Sequence, residues 1–210
     1  MLDLYLSAFI TLFVIIDPVG CAPIFAGLTA GQPPRDAGHT AIRAVSIAAL
    51  ILLVFACVGQ GLLGWLHIEM SAFRIAGGLM LFLIALDMVF EKRTQRREER
   101  AEKVKTTPEP AEDVSVFPMA MPMLAGPGSI ATVMLLMARA QGWAQQGVVL
   151  AALLCVLALT LAALAAARPI MRLLGTRVEA VVTRVLGVLL GALAVQYVVD
   201  GVLGALHGVH

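Results

Sequence analysis

Six stretches of the chain are apolar over the roughly 20 residues of helix that a hydrocarbon core about 30 Å thick requires. They run from Leu4 to Leu28, Ala44 to Leu66, Phe73 to Val89, Val116 to Ala138, Gly147 to Ala166 and Val185 to Leu206. The single long polar stretch, Glu91 to Asp113, is dense in Glu, Lys and Arg and carries Pro108 and Pro110 near its end. Such a stretch has too little apolar surface to bury and reads as a solvated linker. The pattern predicts an all-α membrane protein of six transmembrane helices. Residues 1–90 form a first three-helix unit, 91–115 a charged linker and 116–210 a second three-helix unit.

Composition agrees. The chain is 60% hydrophobic and only 14% charged, with a mean hydropathy of +0.92, whereas soluble domains are about a quarter charged. A formal net charge of +1 gives no support to nucleic-acid binding. Cys21, Cys57 and Cys155 lie inside apolar runs without metal-type spacing, which argues against a disulfide framework or a zinc site. Cys57 and Cys155 read as small hydrophobes. Val19-Gly20-Cys21 faintly resembles a lipoprotein processing site, but Asp17 and Pro18 interrupt the apolar run and no basic residue precedes it. A cleaved signal is therefore not expected.

The basic residues set an orientation. With the N-terminus outside, the loops after spans one, three and five face the cytoplasm. They hold Arg35 and Arg43, then Lys92, Arg93, Arg96, Arg97, Arg100, Lys103 and Lys105, then Arg168, Arg172, Arg177 and Arg184, thirteen of the fifteen basic residues. Only Arg74 and Arg139 fall on the other side. Lys and Arg resist translocation, so both termini are expected outside an inner (cytoplasmic) bacterial membrane, with the linker in the cytoplasm. Trp65 and Trp143 fall at outer loop edges, where an aromatic belt places tryptophan.

The two halves match sparsely. At an offset of 109, Pro18 lies over Pro127 and Ala22 over Ala131; at 110, Arg74, Gly77, Leu79 and Leu83 lie over Arg184, Gly187, Leu189 and Leu193. Three spans per copy is odd, so the second copy enters the membrane from the opposite side. This predicts two inverted three-helix repeats, a recurrent architecture of secondary transporters.

Proline and glycine break two of these spans in the same place. Span one carries Asp17-Pro18-Val19-Gly20-Cys21-Ala22-Pro23, and span four carries Pro118, Pro122 and Gly126-Pro127-Gly128-Ser129. At roughly 1.5 Å per residue from Asp3, Asp17 lies about 20 Å into the membrane. Each proline removes an intrahelical hydrogen bond, and glycine permits angles that other residues avoid. The first and fourth helices are therefore expected to be discontinuous. Exposed backbone groups at depth must be buried in protein or line a polar cavity, so two matched breaks point to a shared site. The competing reading is a pair of ordinary proline kinks. Asp17 before Pro18 is also a normal cap and first-turn pair, so it serves either as a cap or as an intramembrane ligand for a cation, an ammonium group or a proton. The uncharged segment from Gly126 to Thr132, with backbone N–H groups and the hydroxyls of Ser129 and Thr132, suits a carboxylate better. A zwitterion fits the pair, its carboxylate toward Ser129 and its ammonium toward Asp17.

Other polar groups carry less. Asp87 and Asp200 read as solvated span ends, and Gln60 and Gln196 lie within or near span ends. Gly77, Gly78, Gly187 and Gly191 read as close-packing points between helices. The methionines of Phe117 to Met123 come without Cys or His partners, and His39, His67, His207 and His210 are scattered, so no metal site and no cofactor are expected.

The chain resembles the MarC family of membrane proteins, itself similar to small neutral amino acid transporters. The residues that carry the likeness are Asp17-Pro18-Val19-Gly20 with Pro23 and Phe25, and Phe73-Arg74-Ile75-Ala76-Gly77-Gly78-Leu79. Phe117-Pro118-Met119-Ala120-Met121-Pro122 running into Ala125-Gly126-Pro127-Gly128-Ser129-Ile130-Ala131, and Val178-Glu179-Ala180 before Arg184, complete it. The resemblance implies six spans, a substrate site at the broken first and fourth helices, and transport of small neutral amino acids such as glycine or alanine. Asp17, Pro18, Gly20, Cys21, Pro23, Gly126, Pro127, Gly128, Ser129 and Thr132 are the expected substrate-binding residues. Members often carry Asn where this chain has Cys21, which removes a polar side chain from that site.

Alternating access by a secondary transporter is the expected mechanism, with a coupling ion or proton as a further partner besides lipid and substrate. No Gly-x4-Gly-Lys-Ser/Thr motif is present, so P-loop ATP hydrolysis is not expected. An ion channel or an exporter of ions or small metabolites is the alternative. An intramembrane enzyme ranks last, because Ser129 and Cys21 have no histidine at depth to activate them.

Overall fold

The computed structural model describes residues 1–90, 95, 99 and 113–207, the side chains of 170–180 and 207 excepted. Most of the linker therefore lies outside the described residues. The elements in order are α1 (Leu2–Ile16), α2 (Pro18–Leu28), α3 (Pro34–Trp65), α4 (Met70–Val89), a wide-wound segment (Ser115–Leu124), α5 (Pro127–Arg139), α6 (Gly142–Ala165) and α7 (Ala167–His207). Among the described residues there is no strand. Five spans are long and apolar enough to cross a bilayer, the first of them α1 with α2. The wide-wound segment and α5, taken together, bring the number to six.

Helix α3 shows how the bundle is held. Its buried face runs Ala37, Ala41, Ala44, Ala48, Leu52, Ala56, Gly59 and Leu63, at spacings of three and four. Leu50, Val54 and Val58 on the opposite face are exposed. Lipid tails are as apolar as leucine, so no hydrophobic gain draws these helices together. Small residues turned inward let backbones approach, and large ones turned outward meet lipid. The same logic joins α4 to α7. A Cβ on Gly78 would lie 2.8 Å from the Ala194 carbonyl oxygen, and one on Gly187 would lie 2.9 Å from Met88 Cβ. Gly77 stands in the same way against Leu135 of α5, and Gly191 makes an ordinary contact with Ala85.

Four buried threonine hydroxyls are satisfied locally, whereas Thr183 Oγ1 reaches no partner among the described residues. Thr11, Thr29, Thr132 and Thr160 each donate to the carbonyl four residues earlier, at 2.7–2.8 Å. These four donors are thereby paired within their own helices.

Two elements start earlier than the hydropathy pattern predicts. Helix α3 begins at Pro34, ten residues before the apolar stretch, because Pro34 suits a first helical position and Asp36 faces the positive end of the dipole. Helix α7 begins at Ala167, directly after Ala166, so the backbone carrying Arg168, Arg172, Arg177 and Arg184 is helical rather than a loop. Pro169 falls in its first turn, where its missing N–H breaks no helical bond.

Candidate functional site

The first apolar stretch is divided at Asp17, whose φ of 57° and ψ of 66° are left-handed. Pro18 disfavours right-handed helical angles in the residue before it, and Asp is among the few side chains that tolerate the left-handed region. The break is narrow. Asp17 N–H still donates to Phe13 O at 2.9 Å, and Asp17 O accepts from Cys21 N–H at 3.0 Å. The Asp17 side chain, 1% exposed, accepts from Gly20 N–H at 3.0 Å and so caps α2. Gly20 is required there, because a Cβ would stand 2.3 Å from Asp17 Oδ2. Cys21 is fully buried, its thiol donating to Ile16 O at 3.5 Å. Pro23 lies inside α2 and is half-buried.

The second break is wider and differently made. Pro118 and Pro122 sit in the wide-wound segment, and the residues before them, Phe117 (φ −127°, ψ 126°) and Met121 (φ −129°, ψ 126°), are extended. That is the conformation a following proline favours. Both Phe117-Pro118 and Met121-Pro122 peptides are cis. The segment then turns by 51° into α5, whose cap is Gly126. A Cβ there would lie 2.4 Å from Pro122 O, so only glycine fits. No side chain caps α5. Its first N–H groups after Pro127, those of Gly128 and Ser129, reach no acceptor among the described residues, and the helical bonds resume with Ile130 N–H to Gly126 O at 3.0 Å.

These breaks meet. A Cβ on Gly128 would lie 4.0 Å from Ile15 Cγ2, two residues before Asp17, and 2.4 Å from Ile84 Cδ1 of α4. Ile16, Cys21, Ala22, Leu124, Ala125 and Val133, from both sides of both breaks, share one buried cluster. Gly126, Gly128, Ser129 and Thr132 are buried, while Pro127 is exposed. Thr132 Oγ1 is committed to Gly128 O at 2.7 Å, so Ser129 holds the hydroxyl nearer the uncapped end. The buried cluster thus joins a break that carries the Asp17 carboxylate to a break that carries a helix start without a side-chain cap.

Three features escaped the sequence. Ile15 and Ile84 wall the junction but look like any isoleucine in an apolar run. Arg168 Nη2 donates to Thr29 O at 2.8 Å and Gln32 O at 2.7 Å, closing the carbonyl end of α2. The Asp113 carboxylate pairs with Arg43 and accepts from Ser115 Oγ at 2.6 Å and Ser115 N at 3.0 Å. The Ser115 hydroxyl first, then its N–H and the Arg43 charge, hold Asp113 below the usual carboxylate range. Asp200 departs from the expected solvated end: it pairs with Arg139 and accepts from Gln196 Nε2 at 2.6 Å.

Alanine and glycine facing inward, leucine and valine facing outward and paired breaks inside apolar spans define a multi-pass integral membrane protein. The chain belongs to the MarC family: the model described as MarC family integral membrane protein matches residues 2–206. Among its relatives, UPF0056 membrane protein MJ1677 of Methanocaldococcus jannaschii is 36% identical over 98% of each chain. UPF0056 membrane protein PYRAB13050 of Pyrococcus abyssi is 33% identical over 98% of this chain and 97% of its own. UPF0056 membrane protein YvbG of Bacillus subtilis is 32% identical over 97% of this chain and 96% of its own. No solved structure matches.

Proposed function

We propose that this protein is a secondary transporter of small neutral amino acids such as glycine or alanine, working by alternating access at the junction of the two helix breaks. The observation that carries the reading is that both breaks share one buried cluster, with Ile15, two residues before the buried Asp17, lying near Gly128 at the uncapped start of α5. Asp17 suits an ammonium group; the N–H groups of Gly128 and Ser129 suit a carboxylate. Ile15 and Ile84 lie closest to Gly128, so a small substrate suits the junction better than a bulky one.

Helix packing supports an inverted repeat. Exchanging spans one with four, two with five and three with six maps the contact of α1 and α2 with α6 onto that of α3 with the wide-wound segment and α5. The same exchange maps the α4–α7 pair, the most extensive in the molecule, onto itself. Two such halves can rock about a fixed site. In this reading the chain is a carrier without a catalytic step, with both termini outside the cytoplasmic membrane and a proton or ion as coupling partner.

The test is reconstitution into vesicles with radiolabelled glycine and alanine uptake, comparing the unmodified protein with Asp17→Asn and Gly128→Leu. Saturable uptake lost in both variants is expected. Variants that transport as well as the parent would remove the site, and a non-saturating flux that follows ion gradients would favour a channel.

A further inference from the structure

A half-buried arginine of α4, Arg74, has a buried Nε that reaches no hydrogen-bond partner among the described residues. Close backbone approaches fix its level. A Cβ on Gly77 would stand 2.8 Å from Leu135 Cδ1, and one on Gly201 would stand 3.0 Å from Ile75 N. The start of α4 is thus wedged between the end of α5 and the last turns of α7. Arg74 sits in this wedge, with Arg139 one turn beyond Leu135, and Tyr197 and Asp200 across from it on α7. Arg139 pairs with Asp200, and its guanidinium carbon lies 4.3 Å from the centroid of the buried Tyr197 ring. Arg74 is near enough to act electrostatically on the Tyr197 phenol.

Arg74 differs from three other arginines of the chain. Arg43 and Arg139 hold carboxylates, and Arg168 holds two carbonyls. Arg74 Nε is buried and reaches no acceptor among the described residues. A guanidinium does not shed its proton, so burial leaves a charge and donor directions unmet. Two arginines against one carboxylate leave the cluster one positive charge in excess.

We propose that Arg139, over the Tyr197 ring, and Arg74 of the neighbouring α4 form a receptor for one oxyanion, a phosphate or carboxylate group, with Asp200 as the internal competitor for Arg139. The planar forks of two arginines match such a group. Eleven residues of α5 separate Arg139 from Gly128, about 16 Å, so this site is distinct from the helix breaks. Arg139 precedes the exposed Trp143 by four residues, which sets the cluster at the membrane interface, within reach of lipid headgroups and of free solutes. It stands independently of the transport reading.

The experiment is thermal unfolding of the purified full-length protein in neutral detergent, titrated with inorganic phosphate, acetate or short-chain phosphatidylglycerol, against chloride at equal ionic strength. At least one oxyanion is expected to raise the unfolding temperature beyond chloride. A response to phosphatidylglycerol alone identifies a lipid phosphate, and one to phosphate or acetate a free solute. Arg74→Gln should abolish the response without lowering the unfolding temperature in chloride, and Arg74→Lys should retain part of it. Asp200→Asn, which frees Arg139, should lower the half-saturating concentration roughly tenfold. No response beyond chloride, an undiminished response in Arg74→Gln, or an Asp200→Asn response no tighter than the parent would each overturn the receptor.

Discussion

The Asp17 carboxylate accepts a hydrogen bond from the Gly20 amide at 3.0 Å, so the acidic group at the first break also starts the helix that follows it. Capping is one role of this side chain, and recognition of an ammonium group is the one proposed for it. The two roles separate on substitution. Asp17→Asn keeps a side-chain acceptor and a residue that tolerates left-handed angles, so its unfolding temperature should match the parent while uptake falls. Asp17→Ala loses the cap, about 1 kcal/mol, and adds left-handed strain on the order of 1 kcal/mol. Calorimetry on the two variants checks this; equal losses would mean that the cap contributes nothing.

Gly128 and Gly20 are small for different reasons. A methyl at Gly128 meets only Ile84 Cδ1, the end of a flexible side chain, so Gly128→Ala should cost under about 1 kcal/mol. Gly128→Leu fills the junction of α1, α4 and α5 and should cost about 1–3 kcal/mol and abolish uptake. At Gly20 the added methyl strikes the capping carboxylate itself. Gly20→Ala should therefore lower stability by about 1–2 kcal/mol, measured as a shift in unfolding midpoint.

Arg168 holds two carbonyls at the end of α2 from the first turn of α7. Arg168→Gln should cost about 2 kcal/mol, since a charge-assisted bond contributes about 1.5–3 kcal/mol and the site is partly exposed. Limited proteolysis should then cut between Thr29 and Gln32 first. An unchanged cleavage pattern would show that the clamp is idle.

Asp113 ties the end of the linker to α3 through Arg43. Its folded-state affinity for a proton is lowered, chiefly by the Ser115 hydroxyl. The contribution is therefore complete above the ordinary aspartate value near 3.9 and lost as pH falls through the lower folded value. Between neutral pH and about pH 5 the linker end should stay protected from protease, and below about pH 4 it should open. Asp113→Asn should be open at every pH.

Orientation is tested by single cysteines in a cysteine-free background. A residue introduced at Gln95 should react with an impermeant maleimide only from the cytoplasmic face, and ones at His67 or Gln141 only from outside. The reverse pattern would invert the charge argument.

That the chain is all-helical and crosses the membrane several times was legible in the sequence because lipid imposes a local rule. Each span must be apolar and must satisfy its own backbone, so proline at Pro18, Pro118, Pro122 and Pro127 marks a fault wherever it falls. Gly77, Gly78 and Gly187 were legible as packing points for a similar reason. The helical start of α7 was not, because the apolar pattern placed Arg168 to Arg184 in a loop after span five.

What remained for the tertiary structure was adjacency. Nothing local places Ile15 beside Gly128, Arg168 beside Thr29 or Arg139 beside Asp200, pairs separated by scores of residues. In a membrane, helices associate through shape and occasional polar contacts rather than through a general hydrophobic drive, so their partners are chosen by surface fit that a linear pattern does not display. The chain alone determined that two spans break and that one break carries an acid. Only packing decided that Ile15, two residues before that acid, lies near Gly128.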